Sequence, residues 1–155
     1  MPAYPRSFRG LPVAEFGHPG TDLRRELVEL VMAGTKTATA GLLAEYELDG
    51  DPIPAPGMRE VVVDEQGRFV GEIETTRCEV VRMADVDDRF AREEGEGFAD
   101  AADWRTAHER FWNAYLGELQ ARLGDPGWAL TDDTLVVCQR MRVVARYPEP
   151  ITAAV

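Results

Sequence analysis

Leu23, Leu27, Leu30 and Val31 recur at i, i+4, i+7 and i+8, the spacing that lines one face of a helix with apolar groups. Thr21 or Asp22 is placed to cap that helix and Gly34 to stop it, which predicts helix over 22–33. Leu42, Leu43 and Tyr46 suggest a short second helix over 41–48, apolar side inward. Residues 51–57 alternate three prolines with other residues and end in glycine, so they form a loop or lid, because proline lacks the N–H that regular structure needs. The period then falls to two. Residues 60–63 read as a strand, 64–67 as a hairpin turn, and 68–82 as a long strand, bent or bulged, with Thr75, Thr76, Val80 and Val81 supplying β-branched side chains. Helical spacing returns over 85–94, stopped by Gly95 ahead of a tight Gly95-Glu96-Gly97 turn. A long helix is predicted over 101–123 from Trp104, Phe111, Tyr115, Leu119 and Leu123. Residues 124–127 break it, and 134–147 form a last strand that pairs back into the sheet.

This order of elements implies an α+β fold, either a small β-barrel or a twisted, mostly antiparallel sheet flanked by helices. At 155 residues the length suits one domain. Residues 1–20 hold four prolines and three glycines and read as an irregular arm; residues 21–148 form the domain and 149–155 a tail. No apolar run reaches the roughly 18 residues of a membrane span, and residues 1–20 lack the apolar stretch of a signal peptide. On these features a cytoplasmic protein is expected. Cys78 and Cys138 both lie in apolar strand-like runs and are expected as buried free thiols. No local cluster supplies four zinc ligands, and neither metal nor cofactor is expected.

The net charge is -11, which disfavours a broad basic face of the kind that coats nucleic acid. It leaves room for a small positive pocket, for which Lys36, Arg77, Arg82, Arg140 and Arg142 are the candidates. Lys36 is the only lysine; the other 16 basic residues are arginine. Arginine stays protonated and rarely moves protons, whereas burial can tune a lysine to act as base, acid or nucleophile. Lys36 stands in Gly34-Thr35-Lys36-Thr37-Ala38-Thr39, just after the first predicted helix.

Four blocks carry a resemblance. They are Gly34-x-Lys36-x-x-Thr39; residues 71–81 running into Phe90-Ala91-Arg92-Glu93-Glu94-Gly95-Glu96-Gly97; Trp104-Arg105 with His108, Phe111 and Trp112; and Leu135-Val136-Val137-Cys138-Gln139-Arg140-Met141. In this order and spacing they resemble an ASCH domain over residues 22–146. The resemblance implies a PUA-like fold linked to RNA. It also implies two activities: metal-independent cleavage of single-stranded RNA, and, in smaller members, hydrolysis of the acyl group of N4-acylcytidines by a Lys, a Thr and a Glu. Those roles map onto Lys36, Thr39 and Glu94. This chain is longer than the smaller type and has Gly41-Leu42 where that type carries an arginine, features closer to the ribonuclease-like branch. Relatives often have an acid where this chain has Gln139.

For RNA cleavage, a base must take the 2′-hydroxyl proton and positive charge must stabilise the phosphorane. Lys36 serves either need, Tyr46 is a proton donor or relay, Arg77 binds phosphate, and Trp104 stacks a base. Gly34, Thr37 and His108 complete the expected binding set. Against these stand plain packing for Tyr46 and Trp104, an ion pair for Arg77, and a solvated or hydrogen-bonded His108. For amide hydrolysis, Thr39 is the nucleophile, Lys36 its base and Glu94 the acid or base for the leaving amine; the plainer readings are a capping threonine and a solvated acidic run. A third reading is a non-enzymatic module for RNA or a nucleotide. The expected partner is single-stranded RNA, a nucleoside or a nucleotide, with no membrane; monomer and weak dimer both stay open.

Overall fold

The computed structural model describes residues 4–154. In chain order they form β1 (Ser7–Phe8), β2 (Leu11–Ala14), α1 (Asp22–Met32), β3 (Ala38–Leu42), α2 (Leu43–Asp49), β4 (Arg59–Val63), β5 (Phe69–Arg82), a 3-10 turn at Met83–Asp85, α3 (Asp88–Glu93), α4 (Ala101–Asn113), α5 (Leu116–Leu123) and β6 (Leu135–Ile151). The fold is α+β, with a mixed, unclosed sheet in the order β1-β2-β4-β5-β6-β3. The sheet alternative therefore holds over the closed barrel. β2 runs parallel to β4, with Val13 opposite Val61. β4 and β5 are antiparallel, and the pairing jumps from Val62–Gly71 to Val63–Phe69. Val70 is the extra residue, so β5 bulges as its length suggested.

Two stretches differ from the sequence reading. The arm 1–20 is not irregular where it is described, because β1 and β2 lie within it and Tyr4 is buried. Residues 1–3 fall outside the described part. The tail expected from 149 begins inside β6, which continues through Pro148 and Pro150 to Ile151; proline is tolerated in a strand where its missing N–H is not needed by a partner.

The chain packs as two compact units. The first takes residues up to Thr37, Pro54–Arg77, and Arg140 onward. Val61, Val62 and Val63 have no exposed surface. Alternate residues of a strand face opposite ways: Val61 and Val63 join Tyr4 and Phe69 in one cluster, while Val62 joins Leu27, Val28, Val31, Ile73 and Met141 in another. Thr21 caps α1 by accepting from the Arg24 N–H at 3.2 Å, a contact worth about 1 kcal/mol. Asp64 builds the predicted hairpin, accepting from the N–H groups of Gln66 and Arg68. The loop around 51–57 is less free than a lid: Gly57 N–H donates to the Thr75 carbonyl at 2.8 Å.

The second unit takes Ala38–Ile53 and Cys78–Gln139. Trp104, Trp112, Phe90, Met83, Leu119, Val136, Ala38 and Leu42 form its core. The short helix expected over 41–48 is α2, Leu43–Asp49, and residues 38–42 ahead of it form the strand β3. The single helix expected over 101–123 is two, broken at Ala114 and Tyr115. The break lets the Tyr115 phenol donate to Glu45 of α2 at 2.8 Å, while Arg122 of α5 reaches Asp49 at 2.6 Å. Three of the acids in residues 85–103 hold backbone N–H groups at helix starts: Asp87 accepts from Phe90 N–H, Asp100 from Asp103 N–H and Asp88 from Ala101 N–H. Both cysteines are free thiols; Cys138 is buried as expected, but Cys78 is only half-buried.

Candidate functional site

The Gly34 turn is set by how α1 ends. Thr35 N–H donates to Leu30 C=O at 3.0 Å and Gly34 N–H to Val31 C=O at 3.0 Å. This is the paired closure that needs a left-handed residue, and Gly34 has φ of 80°. Lys36 N–H shares the Leu30 carbonyl at 3.1 Å, and Thr37 C=O accepts from Met141 N–H of β6 at 3.0 Å. Lys36 is thereby pinned at 3% exposure.

This turn lines a cavity of about 180 Å³ with Val31, Ile73, Met141, Arg142, Val143 and Arg146. Gly34, Lys36 and Thr37 all line this cavity. The lining holds three basic residues and no carboxylate. Arg142 donates to Glu74 at 3.0 Å and Arg146 Nε to the Met32 carbonyl at 2.9 Å. Arg142, then Arg59, hold the Glu74 carboxyl below the usual range. Of the five basic residues singled out from the sequence, only Lys36 and Arg142 share this cavity. Arg82 pairs instead with Asp133 at 2.8 Å and Asp85 at 3.6 Å. Arg77 is exposed on β5 and Arg140 half-buried on β6. Arg146 was not singled out; an arginine stripe at even positions 140, 142 and 146 was the available signal.

In the second unit, alternation along β3 turns Ala38, Ala40 and Leu42 to the core. Thr39 and Gly41 then share the other face. Thr39 thus sits on a strand. The Tyr46 ring lies over Gly41: a Cβ there would be 3.1 Å from Tyr46 Cε2 and 3.8 Å from its hydroxyl.

Glu94 ends α3. Gly95, with φ of 69°, stops the helix, and Glu94 turns inward with 1% exposure. It is therefore not part of a solvated acidic run. His108 Nε2 lies 3.2 Å from Glu94 Oε2, and His108 Nδ1 lies 2.9 Å from the Trp104 carbonyl oxygen. The imidazole stacks on Trp104 at 4.2 Å between centroids, 21° between planes. Trp104 has no exposed surface, and its indole Nε1 has no hydrogen-bond partner among the described residues. This corrects the base-stacking role expected of Trp104: it is core, and His108 already occupies its face. The Glu94–His108 pair was missed because the two residues are fourteen positions apart, across a turn that sequence spacing does not close.

Among the described residues no helix is long and apolar enough to cross a membrane. The ASCH domain model matches residues 13–145. A crystal structure of a protein from Enterococcus faecalis V583, under the family model DUF984, is similar at 30% identity and a TM-score of 0.73. The match covers 86% of this chain and 76% of that one. An ASCH domain from Lactobacillus crispatus JV V101 is similar at 27% identity and a TM-score of 0.71, covering 86% and 79%. No curated protein matches the chain.

Proposed function

Because this chain belongs to the ASCH domain family, generally an RNA-binding PUA-like fold, we propose that it holds a nucleotide or single-stranded RNA by a phosphate in the Gly34–Lys36–Thr37 cavity and cleaves the strand there without a metal. The observation that carries this reading is the cavity lined by Lys36, Arg142 and Arg146 with no acid among its lining residues, in a chain of net charge -11. A phosphate is the group that such a lining attracts while the surrounding field repels it. Lys36 is the central residue. It takes the 2′-hydroxyl proton, and the ammonium that forms in that buried setting stabilises the phosphorane. Arg142 and Arg146 position the phosphate, and the exposed Arg77 is a candidate for a flanking one. The cavity's small volume suits one phosphate group, not a duplex.

The second reading, amide hydrolysis of an N4-acylcytidine, is favoured by Glu94. A carboxyl with 1% exposure against an imidazole is suited to proton transfer to a leaving amine. Thr39, on the face of β3 away from the core, is its nucleophile, and Lys36 the base that activates it.

The test is a paired assay of wild type and Lys36→Arg with EDTA present, on a fluorescent single-stranded RNA and on N4-acetylcytidine. RNA cleavage that vanishes in the variant supports the first reading. Deacetylation that vanishes supports the second. Activity retained by the variant assigns the chemistry elsewhere, because arginine keeps the charge and loses the proton transfer. With no wild-type turnover on either substrate, binding of RNA or nucleotide without chemistry becomes the function.

A further inference from the structure

Arg146 lines two cavities of the first unit. One is the Lys36 cavity. The other is a larger, open cleft of about 390 Å³ between α1, the 64–67 hairpin and the end of β6, a size within the range of ligand pockets. Its apolar surface includes Val28 and Met32 of α1 and Val70, the bulged residue of β5. Aliphatic and thioether side chains of this kind pack well against a flat ring.

The rim differs from that of the Lys36 cavity. Three guanidiniums and three carboxylates share it, so the cleft is formally neutral and selects no simple anion. These groups are unequally engaged. Asp64 accepts from the Gln66 and Arg68 N–H groups and pairs with the Arg68 side chain at 2.9 Å. Arg146 gives its Nε–H to the Met32 carbonyl. Arg25 stands 3.5 Å from Asp22 and 3.9 Å from Glu29, beyond the roughly 2.7–3.2 Å of a good hydrogen bond. Glu65 is half-buried in the hairpin turn, and among the described residues it makes neither a hydrogen bond nor an ion pair. The cleft therefore offers a ligand one open carboxylate and one loosely held guanidinium beside an apolar surface.

Guanine is the base with matching edges. Its N1–H and N2 amino group are adjacent donors, and a carboxylate accepts two hydrogen bonds at once; its O6 and N7 are adjacent acceptors for a guanidinium fork. Adenine would turn the N1 lone pair against Glu65, and neither pyrimidine has two adjacent donors. We propose that this cleft is a guanine subsite: the ring lies on Val28, Met32 and Val70, its N1–H and N2 amino group bind Glu65, and its O6 and N7 bind Arg25. The attached phosphate passes Arg146, the residue common to both cavities, into the Lys36 cavity. That last contact rests on the phosphate reading above; the base contacts do not.

Calorimetric titration of the full chain with the 5′-monophosphates of guanosine, inosine, adenosine, cytidine and uridine tests this. Wild type should bind guanosine monophosphate about tenfold or more tightly than the adenosine, cytidine and uridine nucleotides, the discrimination of one bidentate pair. Inosine monophosphate, which lacks only the N2 amino group, should fall between, a comparison that needs no protein variant. Glu65→Gln should remove most of the guanine preference, and Arg146→Gln should weaken all five nucleotides while keeping their order. Equal wild-type affinities, or a preference that survives in Glu65→Gln, overturn the subsite. Guanosine and adenosine without phosphate, and inorganic phosphate alone, separate the two cavities. A guanosine preference with no gain from phosphate supports the subsite and defeats the phosphate reading. Phosphate binding without base preference overturns the subsite alone, and failure to bind any of these probes overturns both.

Discussion

Arg24 Nη1 lies 2.8 Å from the phenol oxygen of Tyr4, and Arg24 has no exposed surface. The same guanidinium donates to the carbonyls of Phe16 and Gly17 and to the Glu15 carboxylate, and Tyr4 also donates to Glu15. One buried cation thus ties residues 4–17 to α1. Glu15 is half-exposed, so the cost of Arg24→Met comes from the Phe16 and Gly17 carbonyls left without a donor, about 1–3 kcal/mol each, read from urea unfolding. A cost under about 1 kcal/mol, typical of an exposed pair, would show that the arm is held by its apolar contacts alone.

Two glycines should respond very differently to alanine. At Gly71 a Cβ would meet the Ala145 carbonyl oxygen and Met32 Cε, both at 2.4 Å. Backbone cannot yield cheaply there, so Gly71→Ala should destabilise by about 1–3 kcal/mol or more. At Gly41 the obstacle is the Tyr46 ring at 3.1 Å, which can tilt. Gly41→Ala should cost less than about 1 kcal/mol while displacing the phenol. Melting curves of both variants, with Tyr46 followed by NMR, check the contrast.

Phosphate recognition in the Lys36 cavity predicts a selective loss. Arg146→Gln should weaken binding of a nucleoside monophosphate about tenfold, or about 1.4 kcal/mol, and leave the parent nucleoside unaffected. For short single-stranded RNA the slope of log affinity against log salt should be shallow, and shallower by about 0.7 in the variant. Equal weakening for nucleoside and nucleotide would place the phosphate elsewhere. Calorimetric titration at several salt concentrations measures both.

Acid sensitivity should report on Glu74. Hydrogen bonds from Arg142 and Arg59 lower its pKa in the folded chain, so the unfolded chain binds the proton more readily. The stabilisation is therefore present above the unfolded pKa and lost as pH falls through the folded one. Wild type and Glu74→Gln should differ in Tm at neutral pH and converge in acid. A difference that grows on acidification would contradict the assignment.

Much of the fold was legible because its signals are local. The helix α1 (though its buried face is Arg24, Leu27, Val28 and Val31, with the expected Leu23 exposed), Gly34 as its stop, the 64–67 hairpin and the alternation in β4 and β5 each depend on residues within a few positions of one another. The Lys36 turn was legible for the same reason: a lone lysine follows a glycine that ends a helix. What was misread depends on distant partners. Residues 1–20 look irregular by composition, but β2 takes its ladder from β4, and Arg24 anchors Tyr4 and residues 15–17 on either side of it. The break at Tyr115 comes with bonds to Glu45 and Asp49 of α2.

The site divides along the same line. Lys36 could be named from the chain alone as its lone lysine, and Thr39 and Glu94 through the resemblance to an ASCH domain that the short motifs carry. Tertiary structure alone decided their settings: the arginines that share the Lys36 cavity, the strand face on which Thr39 stands, the burial of Trp104, and the imidazole against Glu94. Residue types and local spacing determine what a side chain is able to do. Its neighbours across the fold determine its charge state, its dielectric and its access to a ligand, and those neighbours meet only when the chain has folded.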